Sequence, residues 1–491
     1  MDFTSTRSKQ SITSAQAITK GLSSDGGLFV PGNFPKISDS EIDKLISLDY
    51  KGRAVQVLKK YLTDFTDDEI NYCVNGAYDN TFDDNIPAPL KEIAPGENIL
   101  ELWHGPTCAF KDMALQLLPY LLTTSAKKAA KGKTMVILVA TSGDTGKAAL
   151  DGFADVPDTK IIVFYPEDGV SPMQKLQMTT QSGNNVAVCA IKGNFDDAQT
   201  GVKKIFGDKE MAEYLAERNM EFSSANSINF GRLVPQVVYY VSSYCELVKS
   251  GRIAKGDTFN VAVPTGNFGN ILAAYYAKQM GIPVGKLICA SNKNNVLTDF
   301  LKTGRYNKNR EFYTTSSPSM DILISSNLER LLFELYDRDE QKVAELMNQL
   351  NTVGEYTVSD DVKAKLSAEF YGGFCDEQGT ADTISELFKK YGYLCDTHTA
   401  TGWAVAEDYV AQTGDNRPMV VLSTASPYKF PASVLSALED AGELDEFAQM
   451  ERLQALTGVK IPENLSGLQH KTERHTGVIE KDQMLCFVMG L

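Results

Sequence analysis

Twice in this chain an apolar run of strand length ends in a glycine-bearing turn and passes at once into a helix. Lys133–Thr141 gives way to Ser142-Gly143-Asp144 and the helical stretch Thr145–Phe153. Phe259–Pro264 leads through Thr265-Gly266-Asn267-Phe268-Gly269 into the helical stretch Asn270–Gln279, and Lys286–Ala290 returns as a strand. Ile161–Tyr165 and Val186–Ile191 are further short strands, and Met419–Thr424 repeats the strand-then-turn pattern. Strands that are apolar on both faces and alternate with helices belong in parallel sheets covered by helices. The pattern predicts an α/β fold that binds ligands beyond the carboxyl ends of its strands, where these turns fall.

A chain of 491 residues is long enough for two or three domains. Residues 1–93 are helix-rich, carry the acidic stretch Thr63–Glu69, and read as a separate N-terminal domain ending in the linker Ile86-Pro87-Ala88-Pro89. Residues 94–440 form the α/β region, as two subdomains. A polar helical insertion is expected at about 306–392, with a serine-rich entry (Thr314–Ser319) and a break at Gly372-Gly373. Residues 441–491 read as a polar helical tail without an assigned role.

A net charge of −15 lacks the basic footprint that nucleic acid requires, so anionic ligands must be held by local cations and helix ends. No apolar run approaches the length of a membrane span, and the polar opening MDFTSTRSKQ predicts a cytoplasmic protein. The eight cysteines are scattered without ligand spacing and read as reduced and mostly buried. The four histidines (His104, His398, His470 and His475) are too dispersed for a zinc site, and no metal is expected.

Three further segments carry chemistry. Lys111 follows Phe110 in the run His104–Asp112 and stands at the mouth of the helical stretch Met113–Leu122. A lysine against apolar and aromatic neighbours loses hydration, which favours the neutral amine that Schiff-base chemistry with an aldehyde needs. A solvated loop lysine is the competing reading. Thr141–Lys147 offers hydroxyls and free N–H groups to an anion. It is not a nucleotide P-loop, since Thr141 and Ala148 stand where glycine and Ser/Thr belong. Asn226–Arg232 gathers amides, a hydroxyl and a guanidinium ahead of an apolar helix. The fork of Arg232, with Asn229, suits phosphate oxygens; a capped helix start with an exposed arginine is the alternative.

Leu102–Gln116 (LWHGPTCAFKDMALQ) resembles the cofactor-lysine motif of threonine synthases, pyridoxal-phosphate (PLP) enzymes of fold type II. Gln16–Pro31, Ala140–Gly146, Asn226–Arg232 and Val263–Asn270 resemble further motifs of that family in the same order, so the likeness runs from about residue 12 to about 435. The resemblance implies that Lys111 holds PLP beside Phe110, and that Gly266, Asn267, Phe268, Gly269 and Asn270 grip its phosphate. It also implies that Thr424 hydrogen-bonds the pyridine nitrogen. Thr141, Ser142, Gly143, Asp144 and Thr145 would hold the substrate's α-carboxylate, and Asn229 and Arg232 its departing phosphate. The implied reaction turns O-phospho-L-homoserine and water into L-threonine and phosphate.

Ser426-Pro427-Tyr428 departs from the His-Pro-Ala of many relatives. His398, in Asp396–Thr399, lies in another family-like segment and is expected to be a hydrogen-bonded structural histidine. A serine/threonine dehydratase would share the lysine and phosphate cup without a second phosphate site. A phospho-lyase would keep both and release a different product, and a non-catalytic binding protein would not need all of these motifs. Monomer and homodimer both remain open.

Overall fold

The computed structural model describes every residue except Ser142, Gly169, Ala441 and Leu491. β1 (Phe3–Ser5) and β2 (Phe29–Pro31) make a small antiparallel ribbon, and β3 (Leu90–Ala94) and β4 (Glu97–Glu101) a hairpin. Then come β5 (Thr134–Ala140), β6 (Thr159–Pro166), β7 (Val186–Lys192) and β8 (Met220–Ser223). They are followed by β9 (Phe259–Pro264), β10 (Val284–Ser291), β11 (Arg305–Asn307) and β12 (Glu355–Thr357). The last three are β13 (Phe370–Phe374), β14 (Met419–Ser423) and β15 (Val478–Glu480).

Two sheets carry the fold. The larger has the order β13-β10-β9-β14-β4-β3 and is parallel except at the β3–β4 hairpin. The smaller, β15-β7-β6-β5-β8, is parallel throughout. Every residue of β9 and β14 is buried, as expected of central strands sandwiched between helices. The turns after β4, β9 and β14 therefore leave the same edge of three adjacent strands, and the turn after β5 comes from the smaller sheet.

From the helix-rich N-terminal region, Phe3, Ile18, Tyr61 and Ile70 belong to one apolar cluster with Phe230, Val261 and Leu422. The helices Asp39–Ser47 and Tyr50–Tyr61 pack on the long helix Phe230–Lys249. The segment 306–392 is not a simple insertion, since β13 joins the larger sheet beside β10. Gly372-Gly373 is no break but lies inside that strand. A Cβ on Gly372 would come within 3.2 Å of the Thr298 backbone, and one on Gly373 within 2.6 Å of Val405. Glycine lets helices press onto the strand from both sides. The tail also has a place, because β15 adds to the smaller sheet next to β7.

Candidate active site

The lysine-bearing turn is zipped onto the end of β14. Leu102 N–H donates to Ser423 O (2.9 Å), Phe110 N–H to Thr424 O (2.8 Å) and Ser426 N–H to Cys108 O (3.0 Å). Asp112, fully buried, accepts from both the Thr107 N–H (2.8 Å) and hydroxyl (2.7 Å) and closes the turn that starts the short helix Asp112–Leu115. Lys111 is held at that start, its Nζ 3.2 Å from Ser319 Oγ, 4.0 Å from Asp144 Oδ2 and 5.1 Å from the centre of the Phe110 ring. Burial pulls the lysine below its ordinary range, opposed by Asp144 and Asp112 and reinforced by Arg232 and Lys429. Burial also lifts Asp112 to about 7.

The turn after β9 makes a cradle. Phe268 takes a left-handed conformation (φ 63°) and starts the helix Gly269–Met280. Asn270 is buried, and its Oδ1 accepts from the hydroxyls of Tyr239 and Tyr240, both at 2.6 Å. That fixes the amide so that Nδ2, which has no partner among the described residues, faces away from the tyrosines. Gly266 runs so close to Ser319 that a Cβ there would lie 2.5 Å from the Ser319 carbonyl oxygen. Asn327 binds the Asn267 carbonyl through its N–H (3.1 Å) and Nδ2 (3.0 Å). Arg330, also buried, donates to Asn327 Oδ1, Phe29 O (3.0 Å) and Ile228 O (2.6 Å), tying the cradle to β2 and to the 226–229 turn.

In the turn after β5, Gly143 has φ 157°, beyond the ordinary reach of other residues, and a Cβ would meet the Gln174 amide. The Thr141 hydroxyl is not free for a ligand: it donates to Gly143 O and accepts from the N–H groups of Gly143 and Gly146, all at 3.0 Å. It shapes the turn. The N–H groups of Asp144 and Thr145, at the start of the helix Asp144–Phe153, make no hydrogen bond among the described residues. Ser142 lies outside the described residues.

Asn229 and Arg232 part company. Asn229 is fully buried and caps the helix Phe230–Lys249, Oδ1 accepting from Gly231 N–H (2.8 Å). Its Nδ2 donates to Ile18 O and Ser224 O, both at 2.9 Å, so its donors are committed to the backbone and cannot serve a phosphate. Arg232 keeps an uncommitted donor. It is 4 % exposed, donates from Nη1 to Ala225 O (2.6 Å), and its Nε has no partner among the described residues. Burial pulls its guanidinium down to about 10.

Several groups near Lys111 were absent from the sequence reading or lacked a role in it. Ser319, within the segment read as an insertion, reaches the lysine and donates its N–H to His398 Nε2 (3.2 Å). His398 Nδ1 is 2.7 Å from Asp396 Oδ2, which makes it the expected hydrogen-bonded histidine. Asp321 organises the strap 313–321 by accepting from Asn292, Asn294 and Thr315. Lys429, 2 % exposed, pairs with Asp144 Oδ1 at 2.9 Å. Thr424 is buried at the end of β14, and its hydroxyl makes no hydrogen bond among the described residues. It is marked in the sequence by the resemblance of its strand end to that of the family.

The charges do not balance. Lys111, Arg232 and Lys429 stand against Asp144 and a partly protonated Asp112. A buried guanidinium without a carboxylate is costly unless an anion completes it. The helix start at Asn270, with an unpartnered buried amide donor, is a second place for phosphate oxygens.

Three family models match in order along the chain: "Threonine synthase N terminus" over residues 2–78, "Pyridoxal-phosphate dependent enzyme" over 99–349 and "Threonine synthase, C-terminal" over 399–485. The chain is 41 % identical to human threonine synthase-like 1 over 435 residues, which is 87 % of this chain and 58 % of that protein. It thus spans less than two thirds of that relative's length. It is 38 % identical to threonine synthase of Pseudomonas aeruginosa over 439 residues, 89 % of this chain and 90 % of the relative. The crystal structure of PLP-bound threonine synthase from Brucella melitensis superposes with a TM-score of 0.89 at 37 % identity, covering 100 % of this chain and 98 % of that one. Matched from its N-terminal helices to its last strand, the chain belongs to the threonine synthase family of pyridoxal-phosphate dependent enzymes.

Proposed function

We propose that the protein converts O-phospho-L-homoserine and water to L-threonine and phosphate, with Lys111 as the cofactor lysine and proton carrier. The observation that carries this reading is the pair of anion-binding positions around one desolvated lysine: the Asn270 helix start and the Arg232 guanidinium, each with a buried donor that has no partner among the described residues. A dehydratase would need only the first.

The cofactor's chemistry fits the residues present. Gly266 gives the close approach a phosphate needs, the Asn270 Nδ2 is an orphan donor at a helix start, and Lys111 is desolvated. When bound, pyridoxal phosphate supplies the electron sink that stabilises negative charge on the substrate's α-carbon. The N–H groups of Asp144 and Thr145 hold the substrate carboxylate. Arg232 holds the phosphate that departs. Lys111 Nζ takes the proton from the α-carbon and returns protons later in turnover. Ser319 keeps that amine on the side of the strap. Thr424 offers a hydroxyl, not a carboxylate, to the cofactor ring, and a hydroxyl cannot keep a ring nitrogen protonated. All eight cysteines stand free, which suits a reducing compartment, and we assign the reaction to the cytoplasm. Among the described residues no helix is long and apolar enough to cross a membrane.

The test adds O-phospho-L-homoserine to the PLP-loaded protein and measures threonine and phosphate together. Equal yields are expected. Phosphate without threonine would replace this reading with a phospho-lyase, and neither product would overturn it.

A further inference from the structure

Lys429 is a fully buried charge at the site, and no step described above uses it. Its side chain has no exposure, and its Nζ lies 2.9 Å from Asp144 Oδ1 and 2.5 Å from Gln177 Oε1. Lys111 faces the other oxygen of the same carboxylate at 4.0 Å, too far for a hydrogen bond, and gives its hydrogen bond to Ser319 instead. Gln174 Nε2 holds Asp144 Oδ1 as well, at 3.3 Å. One carboxylate thus stands between two lysines and is drawn wholly toward one of them.

We propose that Lys429 is a positioning residue: it holds Asp144 away from Lys111 and so leaves the Lys111 amine unclaimed for reaction. The inference rests on the reading of Lys111 as the reactive lysine. A carboxylate that closed on Lys111 would stabilise its ammonium form, which is not a nucleophile. Local structure keeps Lys429 in place. β14 ends in the single turn Pro427–Lys429, where Lys429 N–H donates to Ser426 O (3.0 Å), and Gln174 and Gln177 reach in from the helix Pro172–Thr179. The charged groups around Lys111 are Asp144 from the helix after β5, Arg232 from the helix Phe230–Lys249, Lys429 after β14, and Asp112 on its own helix. Glu446, from the C-terminal region, is a further carboxylate facing Lys429. Among the described residues Asp144 alone pairs with both lysines.

The test reads the protonation of Lys111 directly. Full-length protein is labelled with trace acetic anhydride across a pH series, and acetylation of Lys111 is followed by mass spectrometry. The pH dependence of covalent cofactor capture is followed in parallel by absorbance. In Lys429→Met the Lys111 midpoint should rise by about one pH unit, a tenfold loss of neutral amine at fixed pH. A structural loss that exposed Lys111 would raise its midpoint as well, so the two conservative variants carry the distinction. Lys429→Arg should restore the wild-type midpoint, and Asp144→Asn should lower it.

An unchanged or lowered midpoint in Lys429→Met would overturn the proposal. Should Lys429→Met not fold, Asp144→Asn decides, and an unchanged or raised midpoint there overturns the proposal equally. Lys111→Ala separates the two readings: cofactor capture surviving in that variant removes Lys111 as the reactive lysine. Absent threonine formation with the labelling shifts intact removes only the proposed substrate.

Discussion

The closest approach in the cofactor cradle is between Gly266 and the carbonyl of Ser319, and it can be tested with one methyl group. A Cβ on residue 266 would lie 2.5 Å from that oxygen, and ordinary contact begins at 3.4 Å, so one of the two backbones must retreat by about 0.9 Å. The φ of Gly266 is not in the left-handed region, so alanine there carries no conformational penalty and the cost is steric alone. Overpacking of this kind costs about 1–3 kcal/mol. If the strap moves, Ser319 Oγ leaves its 3.2 Å contact with Lys111; if the cradle moves, the Asn270 helix start shifts from the lysine. Both outcomes tax cofactor binding, and the full 1–3 kcal/mol corresponds to about a 5- to 150-fold weaker dissociation constant. The assay is a PLP titration of Gly266→Ala followed by absorbance, beside urea unfolding of the same variant. Gly207→Ala is the control, because a Cβ there meets nothing within 4 Å. Affinity within twofold of wild type for Gly266→Ala would refute the steric argument and the placement of the cradle.

Arg330→Met removes a buried guanidinium that serves Phe29 O, Ile228 O and Asn327 Oδ1 and leaves those acceptors unpaired. A stability loss of about 3–5 kcal/mol is expected by urea unfolding, and a loss below about 1 kcal/mol would show that water replaces the side chain. Asp112 titrates near 7 in the folded protein against 3.8 ordinarily, so the folded state binds the proton more tightly. Its contribution to stability is full below about pH 4 and is lost as pH rises through about 7. Stability of wild type relative to Asp112→Asn should therefore fall across that window. A flat difference would mean that the two Thr107 bonds keep the carboxylate ionised throughout.

The central strands were legible because burial on both faces leaves an unbroken apolar run. β9 begins and ends where the sequence reading put it, and β5, β6, β7, β10 and β14 differ by a residue or two at their ends. β3, β13 and β15 were not legible. The first is half-solvated, the second carries two glycines, and the third has three residues held mainly by its neighbour. The glycine turns showed themselves because close approach to a ligand and entry into a helix need the same residue types. That economy also misled: Asn229 has the chemistry of a phosphate ligand and of a helix cap, and only the fold reveals that it is the cap. Ser319 could not be found locally, since it meets Lys111 across 208 residues of chain and looks like any loop serine. Lys429 directly follows Ser426-Pro427-Tyr428, a segment already singled out in the sequence. Its burial depends on a partner from the other sheet's turn, which no local pattern announces.

The last strand of the smaller sheet has a consequence for how the protein is made. β15 lies beside β7, with Lys192 and Glu480 paired across 288 residues of sequence. On a ribosome adding about 5–20 residues per second, the outer edge of β7 waits about 15–60 s for its neighbour to emerge. Through that interval its unpaired N–H and C=O groups are a template for any other extended segment. Synthesis of this chain thus carries a timed window of vulnerability to aggregation, set by the order of its strands and closed only when β15 emerges.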